Sequence, residues 1–284
     1  MSLVTLTAGA VAGGGLFVLD RVANAVVRPV PREPEVTVPD LGIRHEDLTI
    51  PSGEHELGAW LLTPTLASDR PLVLLAHGWG ANYGVLLGLA EPLVLSGYPV
   101  LLFDVRGHGR NEEVPYVTVR HFRDDVEAVA HWAAERFPER KRVLVGHSLG
   151  GAASVLAAER GAPVHGVVTV AAPADVLEVT ADYLRTRGLP GGLLVVLLRP
   201  FWWVRVGGTF RHLVPERKIG RLTQPVLVIH PEHDRRVGFH HAQRLARAAG
   251  VTPQVVKGAG HSEVLTRPET MARILAFLEE VGAG

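Results

Sequence analysis

The 284-residue chain contains no cysteine. Disulfides, thiolate nucleophiles and cysteine-ligated zinc are therefore excluded, although the compartment is not decided by that absence. The chain also lacks a charge excess, since 29 Lys and Arg balance 29 Asp and Glu. A nucleic-acid partner normally demands a basic surplus or patch, so none is expected. No internal repeat is visible. No metal-ligand spacing of the HExxH kind occurs, and His108, His147 and Asp104 do not supply one. Neither a metal nor another cofactor is expected.

What remains is an ordinary globular composition, with 47% hydrophobic and 20% charged residues, enough for a large core. Residues 1–19 carry no charge, whereas Asp20, Arg21, Arg28 and Arg32 follow. This hydrophobic segment, taken as residues 1–27, just reaches membrane-spanning length, although Gly13, Gly14 and Gly15 weaken it as a helix. It has no positive leader of the secretory kind. If it enters a bilayer, the following arginines put the main domain on the cytoplasmic side. The alternative is a helix packed on the domain surface or in a dimer contact. A cytoplasmic location, free or attached to that membrane face, is expected. The oligomeric state stays open.

Residues 28–40 are rich in Pro and charge and read as an extended linker, leaving 41–284 as one domain. Two strands, 46–50 and 56–62, flank a Pro-Ser-Gly turn as an edge hairpin. Short apolar strands at 72–76, 100–103, 142–145, 166–170, 225–229 and 253–256 then alternate with helical stretches. Those stretches are 85–95, 119–137, 149–160, 239–249 and 268–280. Such alternation predicts an α/β fold, a mostly parallel sheet with helices on both faces. Sites in such sheets lie at the carboxyl ends of the strands. The stretch of about 174–222 breaks the rhythm and reads as an inserted helical lid.

Gly146-His147-Ser148-Leu149-Gly150 matches G-x-S-x-G between a strand and an Ala-rich helix. That context makes Ser148 a candidate nucleophile on a strained strand-to-helix turn. A serine hydroxyl must pass its proton to a base, and a histidine has the intrinsic pKa for it. His77-Gly78-Trp79-Gly80 follows the strand at 72–76. The backbone N–H groups of Trp79 and Leu149 are candidate oxyanion donors. His77 reads as a core histidine bridging loops.

HGWG at 77–80, DVRGHG at 104–109, GHSLG at 146–150, HPEHD at 230–234 and GAGHSE at 258–263 come in this order. Together they resemble the α/β-hydrolase superfamily, from about Glu46 to the C-terminus, and look most like bacterial serine esterases and acylglycerol-lipase-like hydrolases with a helical lid. The resemblance implies a nucleophile, acid, base order, met here by Ser148, Asp234 and His261. Asp175 is the rival acid and His230, His233, His240 and His241 are rival bases. His233 is expected to shape the acid loop, and Asp104, Arg106 and His108 to organise the loop they lie in.

The lid is apolar, with Leu193–Leu198 and Phe201-Trp202-Trp203 interrupted by arginines. This reads either as a helix packed on the core or as the wall of an apolar acyl pocket. The expected activity is hydrolysis of a small-molecule carboxylic ester through an acyl-enzyme. The alternatives are amide, peptide or thioester cleavage, acyl transfer, and a binding protein without turnover.

Overall fold

The computed structural model describes residues 3–208 and 210–283, with side chains of the first helix from residue 14 onward. Eight strands form one sheet in the order β1-β2-β4-β3-β5-β6-β7-β8. They are β1 (His45–Ser52), β2 (His55–Leu62), β3 (Leu72–Ala76), β4 (Val100–Phe103), β5 (Arg142–His147), β6 (Gly166–Val170), β7 (Val226–Pro231) and β8 (Gln254–Val256). β2 pairs antiparallel with β1 and β4, and every other pairing is parallel. This is the mostly parallel, doubly covered sheet expected from the alternating pattern, with the edge hairpin in place, and it agrees with the fold that the α/β-hydrolase resemblance implies.

The helices are α1 (Leu3–Val27), α2 (Leu87–Leu95), α3 (Val119–Arg136), α4 (Leu149–Glu159), α5 (Val176–Arg185), α6 (Gly191–Arg205), α7 (Glu216–Ile219), α8 (Phe239–Ala249) and α9 (Pro268–Ala283). Strand side chains alternate between faces, and β3 divides accordingly. Leu72, Leu74 and Ala76 join a core with Phe122, Val126, Leu156 and Leu245 from α3, α4 and α8. Val73 and Leu75 join the opposite core with Leu89, Leu93, Phe277 and Leu278 from α2 and α9. With both faces covered, the central strands can be apolar throughout, and β3, β4 and β6 are buried at every residue.

Helices α5 to α7 fill the long crossover between β6 and β7. The third core lies here, where Ala181, Leu184, Val195, Leu198 and Trp202 pack around Ala23 of α1. Trp202 Nε1 donates to the Ala23 carbonyl at 2.9 Å. Arg205 pairs with Asp20 at 2.8 Å. These two contacts run α1 antiparallel to α6. No helix among the described residues is long and apolar enough to cross a membrane. In α1, three consecutive glycines and the Asp20-Arg21 pair dilute the apolar stretch. Residues 28–40 have little regular structure, but Val38 is fully buried and Asn82 Nδ2 donates to the Arg32 carbonyl at 2.8 Å.

Candidate active site

Six carboxyl strand ends meet on one edge of the sheet, and every motif read from the sequence lies there. Ser148 sits between β5 and α4 with φ 54° and ψ −123°. A non-glycine residue at positive φ is strained by roughly 1–3 kcal/mol and persists only where its surroundings enforce it. They do so by close approach. A Cβ on Gly146 would lie 2.4 Å from the Gly150 carbonyl oxygen, and one on Gly150 would lie 2.3 Å from that of Ala76. The Ser148 amide donates to the Val170 carbonyl at 2.8 Å, which ties the turn to β6. Among the described residues the Ser148 hydroxyl makes no hydrogen bond.

Asp234 and His261 lie on loops beyond β7 and β8, and the fold joins them. His261 Nδ1 donates to Asp234 Oδ2 at 2.7 Å. The other carboxylate oxygen accepts the amides of Arg236 and Val237, each at 2.8 Å. Burial alone would raise the Asp234 pKa. The His261 hydrogen bond and the two amides outweigh it, so the carboxyl is held below its ordinary value. The pair is therefore a carboxylate and a ring whose Nδ1 carries the proton of the bond. The rival acid Asp175 does other work, capping α5 by accepting the Leu177 amide at 2.8 Å.

His147 holds the base loop. Its Nε2 donates to the His261 carbonyl at 2.9 Å, across 114 residues of sequence. Burial, and then the nearby His261, push the His147 pKa down to about 3, so this ring stays neutral. The sequence offered no pointer to that contact, because a position inside G-x-S-x-G does not name a partner in another loop. His233, expected to shape the acid loop, is exposed. The buried residue there is His230, which donates to the Val237 carbonyl at 2.9 Å.

On the other side of Ser148 lies the 77–80 loop. A Cβ on Gly78 would fall 2.8 Å from Ser148 Cβ, so the two backbones nearly touch. His77 Nδ1 donates to the Gly78 carbonyl at 2.8 Å, and its Nε2 accepts the Val105 amide at 3.0 Å. This joins the 77–80 and 104–109 loops. Asp104 Oδ1 accepts the Tyr83 amide at 2.7 Å, and burial raises that carboxyl to about 7. Arg106 binds Asp125 through its amide at 2.9 Å and through its guanidinium. Among the described residues, the amides of Trp79 and Leu149 have no protein acceptor. Leu149 opens α4, where the helix dipole places partial positive charge.

Between α3, α5 and α6 a cavity of about 70 Å³ is lined by Val119, Val176, Leu177, Trp202, Phe210 and neighbouring residues. Glu178, His240 and His241 bring potential metal-ligand atoms within 4.8 Å of one another. However, Arg244 already binds Glu178, and His241 Nδ1 accepts the Ala174 amide at 3.2 Å. The remaining His241 nitrogen therefore carries a proton and no lone pair. This cluster instead fastens α5 to α8.

A profile of the serine aminopeptidase S33 family matches residues 67–206. A pimeloyl-[acyl-carrier protein] methyl ester esterase of Proteus mirabilis is 33% identical over 108 residues, 38% of each chain. A monoacylglycerol lipase of Mycolicibacterium smegmatis is 33% identical over 84 residues, 29% of this chain and 30% of that one. The chain thus matches less than half the length of these curated relatives. A solved structure of the Pyrococcus furiosus esterase Pf2001 superimposes with a TM-score of 0.70 at 21% identity, covering 89% of this chain and 97% of that one. A proline iminopeptidase from Mycobacterium smegmatis gives 0.63 at 19% identity, covering 84% and 99%. At such identities the likeness concerns the fold.

Proposed function

We propose that this chain, which has the α/β-hydrolase fold and matches the serine aminopeptidase S33 profile over residues 67–206, is a serine hydrolase of carboxylic esters. The observations that support this reading are the strained, half-buried Ser148 turn and the Asp234–His261 pair, tied to that turn through His147. Ser148 Oγ attacks the ester carbonyl carbon and passes its proton to His261 Nε2. Asp234 keeps the ring in the required tautomer and stabilises the imidazolium. The oxyanion accepts hydrogen bonds from the Trp79 and Leu149 amides. Collapse breaks the bond to the alcohol, whose oxygen takes the proton back from His261, and an acyl-Ser148 ester remains. Water then attacks that ester, again giving its proton to His261, and the acid leaves with Ser148 restored.

The apolar side chains of α6, Leu193–Leu198 and Phe201-Trp202-Trp203, support an uncharged acyl group.

The test is hydrolysis of p-nitrophenyl esters of increasing acyl length, beside aminoacyl p-nitroanilides, by the wild type and Ser148→Ala. Ester turnover that falls by about 10⁵- to 10⁶-fold in the variant is expected. Labelling of Ser148 by a fluorophosphonate should accompany it. Preferred cleavage of the anilides would replace the ester reading with an aminopeptidase one. A folded protein that neither turns over nor labels would overturn both.

A further inference from the structure

The lid helix α6 is apolar on both of its faces. Val195, Leu198 and Trp202 point into the protein. Leu193, Val196, Leu197, Pro200, Trp203 and Val204 recur at helical spacing on the opposite side, and all six are exposed. Val196 is 66% exposed, Trp203 52% and Val204 69%. A helix apolar all round is normally buried, so a surface helix of this kind lacks a covering. The neighbouring α1 extends the surface, with Leu16 at 59% and Phe17 at 67% exposure.

The charges beside this face share one sign. Asp20 pairs with Arg205, and Asp182 with Arg185. Arg21 on α1, Arg187 on the α5–α6 turn and Arg199 on α6 are exposed. Among the described residues no carboxylate pairs with any of these three. A second copy docked across a two-fold axis would set the same cations against one another. Anionic headgroups would neutralise them, while the aromatic and aliphatic side chains enter the acyl boundary.

We infer that α1 and α6 together form a docking face for an anionic lipid bilayer, on which the protein lies without spanning it. No helix among the described residues is able to span. The face belongs to the lid, so docking presents the cavity beneath α6 to the membrane side. The inference does not depend on the catalytic reading.

The full chain is sedimented with vesicles of phosphatidylcholine alone and of phosphatidylcholine with phosphatidylglycerol, at low and high salt. Binding to the anionic vesicles, weakened by salt, is expected. The triple variant Leu193→Ser, Val196→Ser, Val204→Ser should bind at least about tenfold more weakly, since three apolar side chains leave the contact. Arg21→Gln with Arg199→Gln should lose affinity for anionic vesicles alone. Circular dichroism and melting curves establish that both variants fold. Three outcomes would overturn the inference. One is a monomer that binds no vesicle. Another is equal binding by wild type and triple variant. The third is a stable dimer that the triple substitution dissolves, which would make the covering a second copy.

Discussion

The edge of the sheet that holds Ser148 and the outer layer made by α1 and α6 are built on different principles. Around Ser148 the contacts are directional and short. Hydrogen bonds join segments remote in sequence, as between His147 and His261 or His77 and Val105. Glycine backbones lie too close to their neighbours to admit a Cβ. In the outer layer the contacts are mostly apolar. Few polar links cross it, chiefly those from Trp202 to Ala23 and from Arg205 to Asp20. Apolar contact is non-directional, so such a layer can shift without breaking a defined geometry. The first region is held in one geometry by directional contacts, and the second is held by contacts that tolerate displacement.

The sharpest way to break this comparison is at the acid. Asp234→Asn should lower kcat by about 10⁴-fold, because the base loses its tautomer while the fold remains. Steady-state ester hydrolysis with a parallel melting curve checks both halves. Next come two glycines. Gly150→Ala should destabilise by about 3 kcal/mol, since the new carbon meets rigid backbone oxygens. Gly192→Ala in α6 finds only Arg185 at 3.5 Å and should stabilise by about 0.5 kcal/mol. Denaturant midpoints of the pair would sharpen the contrast, and equal effects would erase it.

Acid should act on the site before the outer layer. His77 and His147 are held at about 3 in the fold against an ordinary 6.5, chiefly by burial. The stability they contribute is whole above pH 6.5 and falls as pH drops, by about 1.4 kcal/mol per unit for each ring. Asp104 opposes one of them, because its carboxyl, raised to about 7, favours the folded state at lower pH. A net loss on the order of 1 kcal/mol per unit or more is expected between pH 6 and 5, because His121 and His241, also pushed down to about 4 by burial, act in the same direction as the two rings. Urea titrations across that range measure it. In the outer layer, Trp202→Phe should cost about 1 kcal/mol through the lost bond to Ala23.

Much of this molecule was legible because its signals are local. Short apolar runs and period-3.6 patterning marked the strands and most of the sheet-covering helices to within a few residues. The G-x-S-x-G turn announced itself because its signature fills five consecutive residues, although Gly150 is demanded by the distant backbone of Ala76 and His77. Asp234 and His261 were legible through their order and their positions after strands. Asp175 and Asp234 look alike in sequence, each a lone acid beyond a strand. Only the fold gives the first to the amides of α5 and the second to an imidazole.

The amino-acid sequence by itself therefore determined the sheet, its covering helices and the candidates for the chemistry, since each rests on neighbours along the chain. Tertiary structure alone decided that His147 anchors the loop of His261, that α1 lies on the lid helix, and that one face of α6 is left exposed. Those facts depend on which distant segments share a surface, and the local pattern of a segment is the same whether a neighbour, a lipid or water lies against it.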